Sequence, residues 1–247
     1  YEADHPFEEE TERFKAAGIP FYVCPGTSAW NSIAGRVSNM IENCQSAARA
    51  GLKNGALGYL NTDWGDNGNW QQLPVSYPGF AVGAAFSWCL DSNAGLDLEK
   101  VLNQIVFNDS SEGIGRVLME IGEEYHRWGL RLPNSSPQFW LLQETAESLK
   151  RYDFEDLSPM RESLSRLHSC MEALHQARIQ RRDAQTIHEE LALTLQLMIH
   201  ACKRAQSLFG AGKNYDPLDL LYEIIRLMAD FRTTWLARCR IGGLEDS

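Results

Sequence analysis

The segment Asn61-Thr62-Asp63-Trp64-Gly65-Asp66-Asn67-Gly68-Asn69-Trp70-Gln71 gathers carboxylates, carboxamides and two indoles into one short stretch. That mixture suits sugar recognition. Carboxylates and amides exchange hydrogen bonds with paired hydroxyls, and an indole offers a flat apolar face to the C–H side of a pyranose. Asp63, Trp64, Asp66, Asn67 and Trp70 are therefore candidate sugar-binding residues. The same composition also fits a turn-rich loop in which Asp, Asn and Gly make tight turns and the indoles pack. A second segment, Val23-Cys24-Pro25-Gly26-Thr27-Ser28-Ala29-Trp30-Asn31, offers Trp30 and Asn31 to the same cleft, with Tyr22 just before it. Its Gly-Thr-Ser turn lacks a Walker-type lysine, which excludes a phosphate cradle of that kind. Cys24 has no histidine or cation nearby to activate it and reads as a buried thiol. The opening Tyr1-Glu2-Ala3-Asp4-His5-Pro6 is either a third loop of the same site or a polar connection.

Other chemistries find less support. The cysteines at 24, 44, 89, 170, 202 and 239 form no Cys-x-x-Cys pair and have no histidine at ligand spacing, so zinc and redox motifs are absent. Several lie in apolar runs such as Ser87-Trp88-Cys89-Leu90, which suits buried free thiols and a reducing, cytoplasmic compartment. No metal and no cofactor is expected. Acidic residues outnumber basic ones 10 to 5 up to position 95 and 23 to 18 after it, so neither part offers a basic face to nucleic acid. No run of ~18 apolar residues is present to span a membrane.

The elements that must position the candidates fall into two groups. A charged helix over 7–17 ends at Gly18, a strand covers 21–24, and Ile33, Val37, Met40, Ile41, Cys44, Ala48 and Leu52 repeat at helical spacing. A second strand follows over 56–60, then a loop over 61–79 and an apolar helix over 80–90. Strands alternating with helices predict parallel pairing. After residue 96 the pattern becomes wholly helical, with shorter helices over 97–107, 113–128 and 138–150. Three long helices carry apolar seams, the last through Leu218, Leu221, Ile225, Met228, Phe231 and Trp235. Gly210 and Gly212 separate the second of these from the third.

The segments from Phe21 to Ile33 and from Gly58 to Trp70, together with the ending from Trp235 to Ser247, resemble bacterial proteins grouped with the family 20 glycoside hydrolases, the β-N-acetylhexosaminidases. The resemblance implies an α/β part made of the C-terminal strands of a (β/α)₈ TIM barrel over 1–95, followed by an all-α C-terminal domain over 96–247. It further implies removal of terminal N-acetylhexosamine from glycans with retention, the substrate's own acetamido group acting as nucleophile. That family uses an adjacent Asp-Glu pair at a strand end. No such pair occurs here, so no catalytic residue is expected in this chain and the pair is expected in an upstream barrel half of the same parent. Within the family, a Trp-x-Glu at the last strand walls the terminal sugar and holds its hydroxyls. Trp64-Gly65-Asp66 matches it with the shorter acid, and Tyr22 stands where the preceding strand supplies a tyrosine. Two rival readings are a non-catalytic carbohydrate-binding or helical interaction module and a purely helical scaffold.

Overall fold

The computed structural model describes residues 1–152, 154, 156–210 and 215–246, and helices dominate it. Helix α1 (Phe7–Ala16) leads to strand β1 (Tyr22–Val23), helix α2 (Val37–Asn54), strand β2 (Gly58–Tyr59) and helix α3 (Leu73–Trp88). Short helices follow: α4 (Leu90–Asn93), α5 (Leu98–Val101) running into a π-helical turn (Leu102–Val106), α6 (Ile114–Gly122), α7 (Glu124–Arg127), α8 (Pro137–Gln143) and α9 (Ala146–Leu149). Three long helices complete the chain: α10 (Ser158–Gln176), α11 (Ala184–Phe209) and α12 (Pro217–Arg238). The expected break at Gly212 and the last residue, Ser247, lie outside the described residues.

The expectation of TIM-barrel strands is overturned. Among the described residues the only sheet has two strands of two residues each, and the fold is mostly α-helical. The strands do pair in parallel, Tyr22 with Gly58 and Val23 with Tyr59. Both are short for a local reason. Pro20 and Pro25 bracket the first and supply no N–H to a ladder. Two strands leave both sheet edges open, and Tyr22, Leu57 and Leu60 stay exposed beside them.

Helix α2 follows the predicted periodicity, burying Val37, Met40, Cys44 and Ala48, and stops at Gly55 in the left-handed region. Ile33 precedes the helix, and Leu52, expected on its apolar face, is exposed. Helix α3 begins seven residues earlier than the predicted 80–90, because Pro74 fits its first turn, where the N–H needs no partner. It approaches the strand ends closely: a Cβ on Gly79 would meet Thr27 at 2.7 Å and one on Gly83 would meet Asn61 at 2.2 Å. The predicted helices over 113–128 and 138–150 are each broken in two.

One apolar core runs across position 95, joining Met40 and Cys44 to Leu191, Leu195 and Phe231. Helix α12 turns only the second half of the predicted seam inward. Phe231 is buried and Met228 and Trp235 pack partly buried against the core, whereas Leu218, Leu221 and Ile225 face outward and Leu220 and Leu227 are buried in their place. A buried carboxylate ties α7 to α10: Glu124 accepts from Arg127 at 2.6 Å and from Arg166 at 2.7 Å. Burial alone would raise that carboxyl. The bonds from Arg166, Ser163 and Arg127 outweigh it and hold the pKa below its ordinary value.

Candidate functional site

The strand pair sets the site by starting two loops side by side. Thr62 N donates to Pro25 O and Thr27 N donates to Thr62 O, both at 2.9 Å, so the parallel contact continues past the strands. Immediately beyond, the chain coils tightly. Ser28, Asn31 and Ile33 all adopt the left-handed region, at φ 53, 54 and 69°. Asn tolerates this geometry, but a β-branched Ile does not, and such strain persists only where packing over-determines it. Ile33 is locked in the core at 1% exposure.

This coil carries Trp30 inward. Its ring is 1% exposed, and its indole N–H donates to Asn134 Oδ1 at 2.9 Å. Asn67 Nδ2 donates to Asn31 Oδ1 at 3.2 Å, and Ser136 N donates to Asn31 O at 2.9 Å. Asn67 and Asn134 are also left-handed, at φ 53 and 55°. Three asparagines from distant segments thus interlock around Trp30.

The N-terminal residues close the other side. The Tyr1 ring meets Trp30 edge-on at 5.0 Å, and its hydroxyl accepts from Trp64 Nε1 at 2.9 Å. Next to it, Glu2 receives Arg36 Nη1 at 2.9 and 3.1 Å and Asn134 N at 2.7 Å. The Arg36 side chain is only 2% exposed, and Glu2 is its one ion-pair partner among the described residues. A cavity of about 450 Å³ lies beside this pair, lined by Asn39, Tyr125 and Arg131 among others.

The predicted residues separate into distinct groups. Trp64 remains 48% exposed with its indole edge fixed by Tyr1, and Asp66 and Asn67 lie exposed on the same loop. Asp63 shows much of its surface, but its carboxyl turns inward to accept from Thr27 Oγ1, and loss of water raises its pKa despite that bond. It lines a separate cavity of about 230 Å³ together with Gln71, Glu190 and Arg238. Trp70 is partly buried and packs against the core, with its ring 5.7 Å from Phe231 and 6.5 Å from Phe139. Tyr22 lies over Gly58 on the strand pair and, among the described residues, makes no hydrogen bond or ring contact with the Trp30 cluster. Two thiols read from the sequence as buried, Cys24 and Cys89, are exposed, because neither sits on the inward face of a helix.

Sequence reasoning missed Asn134, Arg36 and the structural part played by Tyr1. Asn134 sits in a Pro-Asn-Ser turn with nothing to mark it as a partner of Trp30, 104 positions away. Chemically, the cluster presents one aromatic face and, among the described residues, one acid without a partner, Asp66, since Glu2 is committed to Arg36 and Asp63 to Thr27. That set can bind a polyol, but it lacks the pair of free carboxyls used in two-carboxylate glycoside hydrolysis. The chain matches no protein-family model and no curated protein.

Proposed function

We propose that this chain forms the sugar-binding wall of a glycoside hydrolase that removes terminal N-acetylhexosamine with retention, the Asp-Glu pair for that step standing outside these 247 residues. The observation that carries the reading is Trp64. It is a half-exposed indole whose N–H is taken up by Tyr1, which holds its face still, and an exposed acid, Asp66, follows two residues on in the same loop. A fixed aromatic face with an adjacent hydroxyl acceptor is what a pyranose needs for both its apolar and its polar side. The Asn31–Asn67 bond steadies the loop from behind. Resemblance of the Trp64-Gly65-Asp66 segment to the family 20 enzymes supplies the choice of amino sugar.

The test measures turnover of a chromogenic N-acetylglucosaminide by the natural full-length protein, with Trp64→Ala and Asp66→Ala beside it. Each substitution is expected to lower kcat/KM by about tenfold or more, the loss of one stacking or charged contact to the sugar. Unchanged turnover in both variants defeats the assignment.

The absence of a second free carboxyl in the cluster favours one other reading, a carbohydrate-binding module without catalysis. Quenching of tryptophan fluorescence by N-acetylglucosamine that needs Trp64, with no turnover, would select it.

A further inference from the structure

We infer that α12 is a dimerisation helix, with two copies of this chain packing antiparallel through its outer face about a two-fold axis between Tyr222 and Glu223. The helix is apolar on two sides. Its inner side buries Leu220, Leu227 and Phe231. Its outer side exposes Leu218 at 55%, Leu221 at 50%, Tyr222 at 64% and Ile225 at 57%. At 100° per residue, steps of three, one and three place these four on one stripe, the geometry of a helix with a second partner. An apolar cleft of about 500 Å³ between α11 and α12, lined by Leu208, Leu221 and Ile224, extends the stripe sideways.

Charge selects the occupant. Asp219 and Arg226 are both exposed, and neither has an ion-pair partner among the described residues. Seven positions apart, they share one rim of the stripe. In an antiparallel pair with a perpendicular two-fold axis, a position before the axis on one copy faces the equivalent position after it on the other, and like rims meet. An axis midway between 222 and 223 therefore brings Asp219 of each copy to Arg226 of the other, twice over. Parallel packing, about an axis along the helices, would put the Asp219–Arg226 rims of the two copies on opposite sides of the seam, where these charges do not meet. The stripe is thus self-complementary in one orientation only, as an isologous contact requires.

Sedimentation or light scattering on the purified chain tests this. The mass should rise from one chain of 27.9 kDa towards twice that between about 1 and about 100 μM protein, the weak end of the range for a single-helix contact. Asp219→Arg and Arg226→Asp should each weaken association by about tenfold, because each sets like charges face to face at both ends. The double variant D219R/R226D should restore it, and Leu221→Glu should abolish it. Circular dichroism should be unchanged throughout, since all these positions lie outside the core. A mass that stays at one chain up to about 100 μM, or a dimer indifferent to the charge exchange, overturns the proposal.

Discussion

Asp109 should be the most pH-sensitive support of this fold. Its residue is 4% exposed and its carboxylate closes the start of α6, Oδ2 accepting from Gly113 N at 2.9 Å and Ile114 N at 3.0 Å. Oδ1 accepts from Ser111 N at 3.0 Å and from Arg178 N at 2.8 Å, which pins the segment between α10 and α11 to the same point. Burial would raise this acid; the hydrogen bonds from Ser111, Ile114 and Arg178 outweigh it and hold the pKa at about 2, against an ordinary 3.8. The difference, 3.8 minus about 2, is worth about 2 kcal/mol at ~1.4 kcal/mol per pH unit. Because the folded value lies below the unfolded one, that stability is fully present above pH 3.8 and drains away as pH falls towards about 2. Asp109→Asn removes the charge and turns an N–H₂ against backbone donors. Near neutral pH the loss should be about 2–3 kcal/mol, or about 4–12 °C in Tm for a chain of this length. The assay is urea unfolding of both proteins from pH 7 to pH 2, read as the difference between them, which cancels the other carboxylates. That difference should shrink towards zero at the acid end. A gap that persists undiminished at pH 2, or no gap at pH 7, would show that the charge is not what those amides hold.

Three other outcomes follow from the site. Glu2→Ala leaves the buried Arg36 guanidinium without its counter-charge, and should cost about 2–3 kcal/mol in thermal or urea unfolding, discounted for the water that can reach Glu2. Adding Arg36→Met should recover most of the loss, and a double variant worse than the single would refute an electrostatic origin. Gly26→Ala places a methyl 2.5 Å from the Trp30 ring, so a loss of about 1–3 kcal/mol and a shift in tryptophan emission are expected; wild-type stability would mean Trp30 is freer than its packing implies. Trp70→Ala should cost about 2–4 kcal/mol, the penalty for emptying a partly buried position packed between Phe231 and Phe139, whereas Trp64→Ala should leave stability within about 1 kcal/mol of wild type.

That contrast between two tryptophans of one loop marks how far the sequence could be read. Helices α2 and α10 were legible because each buries one apolar stripe, which a period of 3.6 reports faithfully; in α11 the same period marked the helix but not its burial, which covers most of its circumference from Glu190 to Gln206. The first half of helix α12 was misread because it carries apolar residues on two sides, and periodicity alone cannot say which side meets the core: Leu220 and Leu227 do, while Leu218, Leu221 and Ile225 do not, and only Met228, Phe231 and Trp235 of the expected seam pack inward. The two strand segments and their parallel pairing could be expected from Phe21 to Cys24 and Ala56 to Leu60. A barrel could not be inferred from two strands, and none is formed by the described residues.

The site was legible as a list of residue types and illegible as an arrangement, for a physical reason. No helix or regular strand presents Trp64. Its edge is held by Tyr1, whose ring rests on Trp30, whose N–H is held by Asn134, whose backbone N–H is held by Glu2. Each link joins segments far apart in the chain, and three of the residues that shape it, Asn31, Asn67 and Asn134, owe their positions to left-handed backbone that asparagine accepts more readily than most side chains. Asparagine in a loop usually signals only a turn. Here the turns interlock, so the pose of the exposed indole depends on the whole chain of contacts. If the proposed sugar binding at Trp64 holds, a change at Asn134, which bonds Trp30 rather than Trp64, should weaken it almost as much as a change at Tyr1. Titration of N-acetylglucosamine by tryptophan fluorescence can compare Asn134→Ala with Tyr1→Phe, and full affinity in the first with loss in the second would break the chain of contacts at Trp30.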